Sequence, residues 1–340
     1  MRLRVKKRQA ITVIIRTPYR LSLLGGGSDY KEHFSKHGSS LLVSTIDKNS
    51  YVTLRRLPPY FPYKTRVVWT KTEMVNQNLD IDHPGIRGVL KYLADDDTGL
   101  EIHYDSDIPA RSGMGSSSAF IVGLLNAYWH LSNDKPPKAS TLAKTAIRIE
   151  REYVGDVVGC QDQIATAFGG VLFVTIERNG EFTVRNMPMT RLAELESRLL
   201  LVFTGFTRHA SDIAKAQMDT IDDHHDRLRE MSALAIHGAE ILQNPSAPLE
   251  GLFELIERSW EIKRALSPAV MTPEICKLED RIRQTGAIAV KLIGAGGGGF
   301  FLACCKAGDC DTIRDKLADL ITIPVKFSSA GSQVIFKNGD

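Results

Sequence analysis

The segment from Pro109 to Ala119 (Pro-Ala-Arg-Ser-Gly-Met-Gly-Ser-Ser-Ser-Ala) constrains this chain more than any other. It sets Gly113 and Gly115, then Ser116, Ser117 and Ser118, directly ahead of a long apolar stretch reaching Trp129. Such a turn delivers backbone N–H groups, hydroxyls and a helix N-terminus to an anion. The anion inferred is a nucleotide polyphosphate, although the Gly-x-x-x-x-Gly-Lys-Ser/Thr spacing is absent. The plainer alternative is a capped helix with Ser116 or Ser117 as N-cap. The helix that follows is apolar on nearly every face, so it belongs in a core, which would fix its N-terminus.

Two other segments are glycine-rich. One runs from Pro18 to Tyr30 and contains Gly25-Gly26-Gly27-Ser28-Asp29; the other runs from Lys291 to Phe300 and contains four consecutive glycines, 296–299. Four glycines in a row cost backbone entropy. Their position between two strand-like apolar runs points to close approach of the backbone to a ligand or to another loop.

A chain of 340 residues is long enough for two domains. A net charge of +3 is too mild to argue for nucleic acid, and no stretch approaches a membrane span. The five cysteines are odd in number and lack zinc spacing, which fits reduced thiols in a cytoplasmic protein. Residues 10–16, 50–56 and 100–105 read as strands, 116–131 and 138–153 as helices, and 171–187 as a hairpin around Asn179-Gly180. A buried strand, Leu199 to Phe203, opens the second half; helices, a strand–glycine loop–strand unit (287–305), a helix (309–320) and a last strand (323–336) follow. Irregular mixing of strands and helices predicts an α+β fold in two domains, 1–190 and 191–340.

Among the carboxylates, Asp162 in Gly159-Cys160-Gln161-Asp162-Gln163 is a general-base candidate or a helix cap. Glu150 and Glu152 lie about 70–90° from the centre of an apolar stripe, on opposite sides, so periodicity does not choose a metal ligand between them. Asp222-Asp223-His224-His225-Asp226 has the composition of a metal site. It sits at a helix start, where Asp is favoured by capping and the dipole, and that is the reading taken.

In this order and spacing, the segments resemble the GHMP kinase superfamily over about residues 12–335. The resemblance implies an N-terminal domain with a left-handed βαβ unit, a ferredoxin-like C-terminal domain, and a cleft between them that uses ATP and Mg²⁺. It makes Gly113, Met114, Gly115, Ser116, Ser117 and Ser118 the phosphate loop, Ser117 and Glu150 the Mg²⁺ ligands, Asp162 the catalytic carboxylate and Arg20 its partner. Gly26, Gly27, Ser28, Asp29, Gly296 and Gly297 are expected at the substrate, with Asp29 binding sugar hydroxyls.

Galactokinases carry Glu and His where this chain has Gly26 and Gly27, which is expected to open space. The Gly-Gly-Gly-Ser-Asp form and the run Thr204–Asp212 are similar to kinases of D-glycero-D-manno-heptose 7-phosphate and to fucokinase domains. The expected substrate is therefore a sugar phosphate, with Arg208, Arg111, His209 and Lys291 as candidates for its phosphate. A kinase for fucose or galactose, or a non-catalytic nucleotide sensor, are the alternatives; a homodimer is compatible with either.

Overall fold

The computed structural model describes residues 12–338 apart from 96–97, 133–134, 208–214, 216–219 and 268–269. Its first layer is an eight-stranded sheet. In chain order the first half comprises β1 (Thr12–Leu24), α1 (Lys31–His37), β2 (Ser39–Arg56), β3 (Thr65–Val68), β4 (Thr72–Val75), α2 (Pro84–Leu93), β5 (Leu100–Ser106), α3 (Ser116–Ser132), α4 (Ala139–Ile149), α5 (Gln161–Phe168), β6 (Val171–Ile176) and β7 (Phe182–Asn186). β2 is long enough to pair with β6 through Ser39–Ser44 and with β5 through Ser50–Arg56. β3 and β5 run parallel, joined by a crossover through α2. α3 is apolar around its circumference, and twelve of its residues are buried, from Ser118 to Leu131. It fills the core between the sheet and its companion helices, as expected of a helix without a polar face.

The second half comprises α6 (Leu192–Glu196), β8 (Leu199–Phe203), α7 (His225–Gln243), α8 (Leu249–Arg264), α9 (Pro273–Gln284), β9 (Ala289–Leu292), β10 (Phe300–Cys304), α10 (Cys310–Lys316), β11 (Thr322–Pro324) and β12 (Gln333–Lys337). Its sheet runs β11-β8-β10-β9, all antiparallel, the strand order of a ferredoxin-like unit. Both faces are covered. Leu199, Leu201, Leu302 and Cys304 enter one apolar cluster, while Leu200, Val202, Phe301 and Ala303 enter another. This explains why the strands read as continuous apolar runs rather than alternating ones. Among the described residues, no helix is long and apolar enough to cross a membrane.

The expected last strand over 323–336 is two strands in different sheets. β11 pairs with β8, whereas β12 returns to the first sheet and pairs with β1. A division into 1–190 and 191–340 therefore cuts through hydrogen-bonded structure. The halves also share a core: Leu21, Leu23 and Leu24 of β1 cluster with Leu228, Met231, Leu252 and Phe253 of α7 and α8.

The glycine run 294–299 meshes the halves more tightly still. Gly113, Gly294 and Gly299 have φ of +77°, +87° and +100°, a region that favours glycine. A Cβ on Gly294 would overlap the Gly113 Cα, and one on Gly299 would overlap the Ser112 carbonyl oxygen. Gly294 and Gly299, at the two ends of the glycine-rich loop, thus serve backbone-to-backbone packing against Ser112 and Gly113. Gly294→Ala is expected to lose about 2–3 kcal/mol, from positive φ and overlap together, read as a lower urea midpoint at unchanged slope.

Candidate active site

The geometry is organised around Arg20 on β1. Its Nε donates to Asp162 Oδ1 at 2.6 Å and its Nη2 to Oδ2 at 2.7 Å, a bidentate pair. Its Nη1 donates to the Gly113 carbonyl, and its backbone N–H to the Met114 carbonyl at 3.0 Å. Asp162 lies in the first turn of α5. Over the pair lies Gly115, with φ +74°; a Cβ there would sit 3.0 Å from Arg20 Cγ and 3.1 Å from Asp162 Oδ2. The Gly113–Ser118 turn, its carbonyls held by Arg20, leads into α3, whose first N–H groups have no intrahelical partner. Met114 is buried and anchors the turn in the core.

Glu150 is fully buried at the end of α4, where a π-helical turn over Glu150–Val154 begins. Ser118 donates to its two oxygens at 2.9 and 3.1 Å, and Gln163 donates to Oε2. Burial pushes its pKa up to about 7, opposed by the Gln163, Ser118 and Ser117 hydrogen bonds and reinforced by the Asp162 charge. Among the described residues it forms no ion pair. A buried carboxylate ringed by hydroxyl and amide groups, without a cation, fits a hard divalent ion such as Mg²⁺. Glu152 is instead exposed and paired with Arg148 at 2.8 Å. Ser117 is exposed at the mouth of the turn, whereas Ser118 makes the closest hydroxyl contact to Glu150.

Several residues expected at the substrate have other partners. Asp29 Oδ2 accepts the Cys160 and Gln161 N–H groups, both at 2.9 Å, and Oδ1 accepts the Gly27 N–H at 3.0 Å. Its carboxylate therefore caps α5, the helix carrying Asp162. Ser28 is buried and donates to the Gly25 carbonyl at 2.7 Å. Gly26 does not open space: a Cβ there would lie 2.6 Å from Ser22 Oγ, which is bonded to Gln161. Gly27, with φ +103°, has among the described residues only the Leu228 side chain within 4 Å of such an atom. Gly296 and Gly297 pack on Val270, the latter donating its N–H to the Val270 carbonyl at 3.0 Å. Lys291 is not at a substrate surface; it is 2% exposed and donates to the Leu23 carbonyl at 2.6 Å and to Ser259 at 3.1 Å. Burial drives its pKa well down. Arg111 is exposed beside the turn, while Arg208 and His209 lie outside the described residues.

Lys263 escapes sequence reading. It donates to the Leu292 carbonyl at 3.3 Å and to the Gly294 carbonyl, beneath the glycine run. Burial first, then Arg20, lowers its pKa to about 7, with Asp162 acting in the opposite sense. The missed signal is its place on the buried stripe Leu252, Phe253, Ile256, Ser259, Trp260 of α8, where a lysine interrupts helical apolar spacing.

Comparisons with known proteins identify the family. The model for the GHMP kinases N terminal domain matches residues 85–170, and that for the GHMP kinases C terminal matches residues 246–321. A D-glycero-alpha-D-manno-heptose 7-phosphate kinase of Campylobacter jejuni is 30% identical over 85% of this chain and 88% of its own length. The chain belongs to the GHMP kinase family. A mevalonate kinase of Methanothermobacter thermautotrophicus is 28% identical over 89% of this chain and 95% of its own. In fold, the chain matches a crystal structure described as a D-glycero-D-manno-heptose 1-phosphate kinase from Bacteriodes thetaiotaomicron, with TM-score 0.76 and 24% identity over 95% of this chain and 98% of that one. The two-domain GHMP kinase fold expected from the motifs is the fold observed.

Two measurements check these assignments. Asp29→Ala removes the acceptor of three N–H groups and should cost about 1–3 kcal/mol. It should also lower kcat by loosening Asp162, whereas a sugar-binding role would chiefly raise KM. For Lys263, the folded pKa near 7 lies below the ordinary 10.5, so between these values the folded state binds fewer protons and gains stability as pH rises. The Tm of Lys263→Met minus that of the wild type should be largest below pH 7 and shrink toward pH 9.

Proposed function

We propose that the chain transfers the γ-phosphoryl group of ATP to the anomeric C1 hydroxyl of D-glycero-D-manno-heptose 7-phosphate, giving the 1,7-bisphosphate. The observation that carries phosphoryl transfer is Asp162, gripped by Arg20 through both oxygens next to Gly115. Support for a heptose phosphate comes from the relative at 30% identity over most of both chains.

In this reading the N–H groups of Gly113 to Ser118 receive the triphosphate at the start of α3. Glu150 and Ser117, with Ser118 behind them, would hold Mg²⁺. When bound, that ion neutralises charge on the β- and γ-phosphates. Asp162 accepts the hydrogen bond of the sugar hydroxyl and aims its oxygen in line with the γ-phosphorus. The proton passes to Asp162 Oδ as the O–P bond forms, and ADP leaves. Arg20 fixes the carboxylate plane, so Asp162 contributes mainly by positioning, the dominant need of phosphoryl transfer. Arg208, and Arg111 at the rim, are the cations proposed for the 7-phosphate.

A second reading, a GHMP kinase for another acceptor, draws on the mevalonate kinase relative; fucose and galactose are its sugar candidates. A non-catalytic sensor would have no need of the bidentate Arg20–Asp162 pair. ADP release should be measured with Mg-ATP on the heptose 7-phosphate, the unphosphorylated heptose, fucose, galactose and mevalonate. The 7-phosphate is expected to turn over fastest, and Asp162→Ala should lose roughly 10²–10⁴-fold in kcat while keeping a native far-ultraviolet spectrum, with a lowered Tm because Arg20 is left buried without its carboxylate. Arg208→Gln should raise KM for the sugar phosphate and leave that for ATP unchanged. Preference for a neutral acceptor would overturn the substrate assignment and leave the kinase assignment intact.

A further inference from the structure

We propose that His33, His37 and His225 form a transition-metal site, suited to zinc or a similar borderline divalent ion, that clasps α1 to the start of α7. The sequence alone reads the Asp222–Asp226 cluster as a helix start. The fold changes that reading by carrying His225 to two histidines nearly two hundred positions away.

His33 and His37 are four residues apart on α1 and share one face of the helix. The three rings form a compact triangle, with centroids 5.0, 5.2 and 4.8 Å apart. One ring nitrogen from each lies within 4.8 Å of the other two. The Nδ1 atoms of His33 and His225 face each other at 3.0 Å. Nitrogen ligands of a tetrahedral zinc are about 3.3 Å apart, so the His33–His225 pair is near ligand spacing and the three-nitrogen set needs to close by at most roughly 1.5 Å.

Two further observations point to a ligand. Asp222 Oδ1 lies 3.0 Å from His225 Nε2. A carboxylate accepting the Nε2 proton leaves Nδ1 as a lone pair facing the cluster, the usual orientation of a metal-binding imidazole. His33 is fully buried, and among the described residues its Nε2 has no hydrogen-bond partner, while its Nδ1 contacts His225. The surroundings carry a small excess of cations, Arg178 lying near His37 beside two paired ones. Lys36 pairs with Asp222 at 2.7 Å and also lies 3.2 Å from His225 Nε2, while Arg229 pairs with Asp226.

An all-imidazole set selects zinc, cobalt, nickel or copper and is a poor match for Mg²⁺, which prefers oxygen ligands. The site is thus chemically separate from Glu150. α1 begins just after Asp29 and Tyr30, and Leu228 of α7 faces Gly27. A metal here would tie together the two elements flanking the Gly25–Asp29 loop.

The test is titration of chelator-treated full-chain protein with Co²⁺ and Zn²⁺ in saturating Mg²⁺. The expected result is one equivalent of Co²⁺ with visible d–d bands of a tetrahedral nitrogen site, displaced by Zn²⁺, and a Zn²⁺-induced rise in Tm. His37→Ala and His225→Ala should each abolish stoichiometric binding and the Tm rise while keeping the wild-type far-ultraviolet spectrum and Mg-ATP turnover. Asp222→Asn should weaken binding roughly tenfold or more. The proposal is overturned if the wild type takes up no stoichiometric Co²⁺ or Zn²⁺, if both histidine variants bind as the wild type does, or if a near-ultraviolet thiolate band reveals capture by a cysteine instead.

Discussion

The site depends on one guanidinium. Arg20 is 6% exposed, and burying such a charge is costly unless its donors are used. Here they are used on both sides of the site: two hydrogen bonds go to Asp162 on α5 and one to Gly113 at the entrance to α3. The backbone of the same residue adds a fourth link, to Met114. A strand, a phosphate-loop turn and a carboxylate-bearing helix are therefore registered by a single planar group. Lysine, a point charge with no fork, could not replace it.

Around this centre the protein uses polar groups to position other polar groups. Asp29 caps α5 and so sets the height of Asp162. Ser22 holds Gln161, and the bare Cα of Gly26 leaves room for that pair. Lys263 and Lys291, both buried, bind carbonyls of the glycine run and of β1 respectively. Thr204 bonds the Gly299 carbonyl at 3.0 Å from the opposite side. Two loops from different halves of the chain meet at Gly113 and Gly294, so the halves are in backbone contact at the site.

Much of this was legible beforehand. An all-round apolar helix after a glycine–serine turn had few places to go, and α3 is buried as its composition required. The α+β class, the hairpin β6–β7 and the buried strand β8 followed from period and turn chemistry. The choice between Glu150 and Glu152 did not, because helical angles left both at the core edge. The π-helical turn that begins at Glu150, and the Ser118 and Gln163 side chains that meet it, are contacts between distant segments. The same limit hid Asp29. A carboxylate after three glycines looks like a ligand for hydroxyls until α5 arrives with its N-terminus open.

By itself, the sequence determined the kinds of surface this chain had to make: a buried helix with an anion-ready N-terminus, loops that only glycine could follow, and enough apolar strand for two sheets. Those properties are local, set by φ preference, side-chain volume and periodicity. Tertiary structure alone decided which polar groups meet. It turned Lys291 inward, moved β12 back onto the first sheet, set Asp29 on the N-terminus of α5, and gathered His33, His37 and His225 from two helices. Hydrogen bonds and ion pairs fall off within a few ångströms, so partners so far apart in sequence become partners only when the fold brings them together.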